Sequence, residues 1–428
     1  MTELFIVQIH ELLNDLKIEL DQRDANGLTR CRRLLQSAQS AHIVVDNQPV
    51  LSFCSNDYLG LANHPELIAA MQHGVAEAGV GSGASHLITG HHQYHDNLEK
   101  ELAAFVGFDD ALLFSTGYMA NIGVVTSLVG RGDVIFADKL NHASLNDAAL
   151  ISRADLQRYA HNDMVALENL LRKSAEKNAE KSKARRQLII VDAVFSMDGD
   201  IVAVSDLLKL CERYDAYLLV DDAHGFGVLG SNGRGILSHF SLSAFNASSR
   251  IIYMATLGKA AGVSGAFVAA NQVIVDTLKQ KARTYIYTTA SPPALAYALS
   301  TSLELIQHGD ALRTHLQHLI ATLKEALGRV GKWRLMASNT AIQPLLVGSN
   351  ADAVKLSEYL LTLGILVPAI RPPTVPENTA RLRITLTAAH TLQDVEKLVE
   401  AINSAQDFAL EGYVRQSDVK QSLVNKAL

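Results

Sequence analysis

Between residues 105 and 275, short apolar runs alternate with stretches of helical periodicity. The runs at 111–115, 134–137, 188–191, 217–220, 251–255 and 266–270 are rich in aliphatic and β-branched residues. Apolar runs of this length, bounded by turn residues, read as strands buried on both faces. Strands separated by helical patterns pair in parallel. The segment therefore predicts a mostly parallel, doubly wound sheet of the α/β class.

The flanks carry different patterns. Residues 3–40 place Leu4, Ile9, Leu12, Leu13 and Leu16 at helical spacing, which predicts one or two amphipathic helices in an N-terminal arm that needs something to pack on. Residues 43–45 and 50–53 surround Asp46-Asn47 and predict a short hairpin. Residues 164–186 predict a helix whose basic end, from Lys173 to Arg186, is a solvated helix terminus and loop. After Pro292-Pro293 a helical stretch runs from 294 to 306. Strands at 341–347, 365–368 and 381–387 follow, with helices at 352–363 and 392–402. The expected layout is an N-terminal arm over 1–55, a large domain over 56–295, a smaller α+β domain over 296–408 and a polar tail over 409–428.

Composition narrows the class. The 428 residues are 48% hydrophobic and 19% charged, which is ordinary for a soluble globular protein. A net charge of −6 offers no basic surface for nucleic acid. Cys31, Cys54 and Cys211 lie far apart, which fits a reducing cytoplasm and argues against disulfides or a zinc site. The first lysine is Lys17, so no secretory signal is expected, and no apolar run is long enough to span a bilayer. The glycine-rich run at 79–85 lacks a P-loop lysine. His86, His91, His92 and His95 cluster without supporting carboxylates or cysteines in a ligand pattern, so no metal is expected there. His95 and Leu98-Glu99 instead predict packing on a helix that begins at that point.

The chemistry gathers after the strands. Thr116-Gly117-Tyr118, Asn141-His142-Ala143-Ser144, Ser196-Met197-Asp198-Gly199, Asp221-Asp222-Ala223-His224 and Thr256-Leu257-Gly258-Lys259 each follow a strand end. In a parallel sheet those ends face one edge, where ligands bind. Each cluster alone is an ordinary loop; together they make a site. Lys259, desolvated, can form a Schiff base with an aldehyde. Thr256 and the strand–glycine–helix turn at Gly117 can hold a phosphate, and Tyr118 offers an aromatic face. Asp221 can keep a pyridine nitrogen protonated. His224 can reach a phenolic oxygen and His142 can stack on a ring. These are the requirements of pyridoxal 5′-phosphate. The segment Ser55-Asn56-Asp57-Tyr58-Leu59-Gly60 is either a plain loop or one whose Asn56 and Tyr58 line the mouth of the site.

These motifs, with Phe195-Ser196-Met197-Asp198-Gly199 and Arg381-Leu382-Arg383-Ile384-Thr385, carry a resemblance over residues 40–405. The chain resembles the α-oxoamine synthases, pyridoxal-phosphate enzymes of fold type I (the aspartate-aminotransferase fold). The resemblance implies Lys259 as the Schiff-base lysine, Asp221 as the pyridinium partner and His142 as the stacking histidine. It implies Ser196 and His224 at the phenolic oxygen, and Gly117, Tyr118 and Thr256 at the phosphate. Thr288 and Thr289 would be phosphate donors supplied by the second subunit of a homodimer. Arg383 would bind the amino acid's carboxylate, although Arg381 lies on the same strand face and could exchange roles with it. Two positions depart from many relatives: Asp192 stands in place of Glu, and His86 in place of Arg. The implied reaction condenses L-alanine with a pimeloyl thioester, carried by CoA or a carrier protein, with loss of CO₂, as in biotin biosynthesis. A glycine C-acetyltransferase-like reaction, another acyl chain, a plain aminotransferase and a non-catalytic partner subunit remain as alternatives.

Overall fold

The computed structural model describes residues 2–26, 28–179, 185–242, 249–328 and 333–408. Fourteen strands are present among them. The first pair, β1 (His42–Val45) and β2 (Gln48–Ser52), forms the expected hairpin, with Asp46 and Asn47 both at positive φ in its turn. Seven strands form the main sheet: β3 (Asp110–Phe114), β4 (Val134–Asp138), β5 (Asp155–Tyr159), β6 (Gln187–Asp192), β7 (Tyr217–Asp221), β8 (Ile251–Thr256) and β9 (Ala266–Ala270). Their spatial order is β3-β9-β8-β7-β6-β4-β5. Only β9 runs antiparallel to its neighbours, so the other strands present their C-terminal ends at one edge. Short β5 lies at the rim and was not expected from its mixed sequence, DLQRY.

Strand alternation divides the core. Ile189, Val191, Leu218, Val220 and Tyr253 point into one hydrophobic layer, and Leu188, Ile190, Leu219, Ile252 and Met254 into the other. All ten are at most 1% exposed, as a sheet covered by helices on both faces requires. Each such side chain contributes about 1.5–3 kcal/mol on burial. Register then aligns the site: Asp192 pairs with Asp221, and Asp221 with Met254.

The strands β10 (Arg334–Leu335), β11 (Ile342–Gly348), β12 (Ile365–Leu366), β13 (Ala369–Ile370) and β14 (Ala380–Thr385) complete the set. β10, β11, β14 and β13 form an antiparallel sheet, whereas β12 joins the N-terminal hairpin through β2. Among the described residues no helix is long and apolar enough to cross a membrane.

Two expectations need correction. The N-terminal arm is helical only over Thr2–Ala25, and residues 28–41 carry no further helix. Its Leu12, Leu13 and Leu16 are exposed within the chain, so periodicity identified the helix but not a surface that covers it. Helix Asp310–Leu327 was not anticipated, although Leu316, Leu319, Ile320, Leu323 and Leu327 follow helical spacing and are buried. The preceding helix Pro293–Gln307 ends just before Gly309, and that break obscured the second one. The tail at 409–428 lies outside the described residues.

Gly262 fixes the loop that carries Lys259. It has φ +70°, and its N–H donates to the Lys259 carbonyl at 2.8 Å. A Cβ there would lie 2.6 Å from the Ala62 nitrogen. Gly262→Ala therefore combines that clash with left-handed strain of about 1–3 kcal/mol. The expected outcome is a clearly lower melting temperature by calorimetry; an unchanged melting temperature would show that the loop relaxes freely.

Candidate active site

The lysine loop leaves the C-terminal end of β8. Lys259 is half-buried, and its Nζ lies 2.8 Å from His224 Nε2. Burial lowers the amine to about 8, against the opposing pull of Asp221 and Asp192. A substantial neutral fraction at mild pH is what a nucleophilic amine requires. His224 is buried, and burial holds its ring well below the ordinary histidine range. Its Nδ1 is 2.6 Å from the Tyr58 hydroxyl. Tyr58 is thus a core residue, 1% exposed, rather than a residue at the mouth.

Adjacent strand ends bring two carboxylates together. Asp192 accepts the His142 backbone N–H at 2.6 Å, and burial followed by the nearby Asp221 pushes its pKa well above the carboxylate range. Asp221 accepts Asn121 Nδ2 at 2.8 Å and the Ala223 N–H at 3.1 Å; no cationic side chain pairs with it within 4.0 Å among the described residues. Asp222 faces the opposite side of the sheet end, where it accepts Tyr253 Oη at 2.8 Å and the Ile236 N–H at 2.7 Å. It is committed to holding the loop. His142 caps helix Ala143–Ser152, with Nδ1 2.7 Å from Ser144 Oγ, and burial lowers its pKa.

Asn121 escaped the sequence reading. It sits one turn into the helix Gly117–Leu128, fully buried, and bonds both Asp221 and Ser144. The available signal was a lone amide in an apolar helix that opens at a site turn.

β14 contributes the arginines. Arg381 is spent on structure: its guanidinium pairs with Asp198 at 2.6 Å and donates to the Thr379 and Met197 carbonyls. Arg383 donates to the Ser196 carbonyl at 2.5 Å, to Thr385 Oγ1 at 2.9 Å and to Asn56 Oδ1 at 3.3 Å. It is 6% exposed and pairs with no carboxylate within 4.0 Å among the described residues. Leaving a buried guanidinium without a counter-ion is costly unless an anion compensates it.

The Ser196 loop is clamped from below. His161 lies 3.1 Å from Asp138 and 2.9 Å from Asp200. Burial alone would lower its pKa, yet the hydrogen bonds and charges of both carboxylates push it up to about 10.

At the other end of the site, Gly117 begins its helix against β8. A Cβ on Gly117 would meet Thr256 Cγ2 at 2.7 Å, so only glycine lets the helix N-terminus approach the Thr256 strand end this closely. Tyr118 is exposed, and its hydroxyl bonds Asp147. Thr288 and Thr289 make no side-chain hydrogen bond among the described residues; Thr289 bridges Ser85 through the backbone. His86, His91 and His95 do converge, with ring nitrogens within 4.8 Å of one another. A carboxylate is also near, because Glu99 lies 3.9 Å from His91. His95, however, accepts the His92 N–H at 3.0 Å and donates to the Ser291 carbonyl at 2.9 Å, so both of its nitrogens are engaged. It is buried on the helix Gln93–Val106 beside Leu98 and Glu99, as expected.

The donor set fits pyridoxal 5′-phosphate. An amine of lowered basicity, an unpaired buried carboxylate one strand away and a glycine-opened helix N-terminus share one edge. The comparisons agree. Residues 48–402 match the family model for aminotransferase class I and II, and the fold is of that class. Over 92% of its length the chain is 56% identical to 8-amino-7-oxononanoate synthase of Methylobacillus flagellatus, covering 97% of that protein. It is 57% identical to the synthase of Nitrosospira multiformis, over 92% of this chain and 96% of the relative. The chain belongs to the 8-amino-7-oxononanoate synthase family. Among solved structures, the Francisella tularensis synthase matches with TM-score 0.71 and 31% identity over 85% of this chain and 99% of that one. A serine palmitoyltransferase from S. paucimobilis with a bound PLP–myriocin aldimine matches with TM-score 0.83 and 26% identity, over 92% and 97%.

The clamp gives a pH prediction. Because the folded-state pKa of His161 is raised, its stabilisation is fully present below the ordinary histidine value and is lost as pH rises through about 10. His161→Gln should lower the denaturation midpoint near pH 6, with the gap to the parent closing in alkaline buffer. A gap independent of pH would assign His161 a purely steric role.

Proposed function

We propose that the chain condenses L-alanine with a pimeloyl thioester, releasing CO₂ and forming 8-amino-7-oxononanoate in biotin biosynthesis. The observation that carries this reading is the placement of Lys259, Asp221 and an unpaired Arg383 around one buried edge. Pyridoxal 5′-phosphate is the cofactor; when bound, it supplies an aldehyde for amines and a ring that delocalises the electron pair left at the substrate's α-carbon. Lys259 would hold the cofactor through its aldehyde and is the base placed to take the substrate's α-proton. Asp221 keeps the ring nitrogen protonated, His142 covers the ring face, and Ser196 and His224 bind the phenolic oxygen. Gly117, Tyr118 and Thr256 hold the phosphate, joined by Thr288 and Thr289 from a second copy of the chain. Arg383 anchors the carboxylate, with Asn56 beside it. The support for choosing Arg383 over Arg381 is that Arg381 is already neutralised by Asp198.

The proposed setting is a cytoplasmic homodimer, in keeping with three free cysteines. We further propose a division into an arm over 1–55, a large domain over 56–295 around the main sheet and a small domain over 296–408 around the sheet of β10, β11, β14 and β13. A second reading, acyl transfer to another small amino acid, draws on the higher TM-score of the serine palmitoyltransferase, 0.83 against 0.71. Thiol release from a panel of acyl-CoA and acyl-carrier donors with alanine, serine and glycine decides between them. Preference for serine or glycine would displace the first reading.

Three variants probe the roles. Lys259→Ala should lose the yellow colour of the holoprotein and all turnover while staying folded. Asp221→Asn should keep the cofactor and lose about a hundredfold in rate, as when a preorganised electrostatic group is removed; unchanged kinetics would exclude the role. Mixing Lys259→Ala with a Thr288→Ala/Thr289→Ala double variant should restore activity on subunit exchange, since a two-fold interface builds one intact site from two defective chains. Mixed dimers that form yet stay inactive would confine the threonines to their own chain.

A further inference from the structure

Lys259 does not stand alone at the base of the site. Its Nζ lies 2.8 Å from His224 Nε2, His224 Nδ1 lies 2.6 Å from Tyr58 Oη, and Tyr58 Oη lies 3.3 Å from Asn56 Oδ1. Asn56 Oδ1 in turn accepts both terminal nitrogens of Arg383, each at 3.3 Å. The chain is continuous from the amine to the carboxylate receptor. Tyr58 is its centre, and a tyrosine hydroxyl can both donate and accept.

The neutral His224 ring carries one hydrogen, which leaves two arrangements. In the first, Tyr58 donates to Nδ1, and Nε2–H donates to the Lys259 amine, occupying the lone pair that would accept a proton. In the second, Tyr58 donates to Asn56, Nδ1–H donates to Tyr58, and Nε2 accepts an N–H from Lys259, which favours the ammonium. To pass from the first to the protonated second arrangement, the Nε2 hydrogen moves to Nζ, one solvent proton is taken up at Nδ1, and the Tyr58 O–H rotates to Asn56. Arg383 biases this choice. While its donors occupy Asn56 Oδ1, that oxygen is a poor acceptor for Tyr58. A carboxylate on Arg383 would draw those donors away and release it.

We propose that Tyr58 is a positioning residue that couples carboxylate binding at Arg383 to the proton affinity of Lys259, through the tautomer of His224. This rests on the reading that Arg383 receives the substrate carboxylate and Lys259 the α-proton. The amine becomes a strong base only once an amino acid is seated. Other charges also face these groups: Asp221, Asp192, Asp222 and Arg383 around Lys259, Arg383 and His142 around His224, and Arg383 beside Tyr58 itself. A bound carboxylate acts on Lys259 directly through space as well, so the test must separate the two routes.

Tyr58→Phe does so, because it removes the hydroxyl and keeps the buried ring. In cofactor-free protein, competitive acetylation of Lys259 read by mass spectrometry gives its proton affinity with and without propionate, a carboxylate lacking the amine. Propionate should raise that affinity in the parent about tenfold more than in Tyr58→Phe, a difference of one pKa unit. In holoprotein without acyl donor, exchange of the alanine α-hydrogen with D₂O should be about tenfold slower in the variant, within the range of general-base effects. An equal propionate response in both proteins, or an unchanged exchange rate, would overturn the coupling. Failure of the underlying reading is visible separately, as parent protein to which propionate does not bind by calorimetry.

Discussion

Two buried charged groups, each hydrogen-bonded but without a counter-ion within 4.0 Å among the described residues, organise this molecule's active edge. Among the described residues no cationic side chain pairs with Asp221 within 4.0 Å, and no carboxylate pairs with Arg383. Leaving such groups uncompensated in a low-dielectric interior is costly, and it is tolerated where a ligand supplies the missing charge. In the function proposed, a protonated ring nitrogen would answer Asp221 and a carboxylate would answer Arg383. Lys259 sits between these demands, lowered by burial and held up by the carboxylates. Fold and chemistry meet here: the sheet must be rigid because the charges do not tolerate displacement.

That rigidity comes from register. β6 and β7 pair Asp192 with Asp221, so two carboxylates are forced into proximity by backbone hydrogen bonds rather than by side-chain preference. The His142 N–H bonds one and Asn121 bonds the other. The Ser196 loop is fixed on two sides, by His161 between Asp138 and Asp200 and by Arg381 on Asp198. With the loop fixed, the Ser196 carbonyl orients Arg383. Asp192 reaches the His142 backbone N–H at 2.6 Å.

Much of this was legible in the chain. The strands that carry the chemistry are continuous apolar runs, because a sheet covered on both faces leaves no polar position to blur the pattern. Turn residues after each run then locate the functional side chains. The N-terminal arm was less legible. Leucine spacing announces a helix, yet Leu12, Leu13 and Leu16 remain exposed within the chain, since periodicity does not say which surface receives them. β5 was hidden for the opposite reason: a rim strand needs little apolar character.

By itself the sequence determined the α/β class, the strand ends that carry Gly117, His142, Ser196, Asp221 and Lys259, and through its motifs the family. Those are local properties, set by periodicity and turn chemistry within a few residues. Only the tertiary structure decided between near neighbours. Asp221 and Asp222 are adjacent, and alternation at the strand end turns one to Asn121 and the other to Tyr253. Arg381 and Arg383 share a strand face, and they part because Asp198, 183 residues away, neutralises only the first. Tyr58 reads as a loop residue until His224, 166 residues on, closes over its hydroxyl. In the two pairs the residue type is the same. What separates them is a partner brought by the fold from far along the chain, which no local pattern encodes.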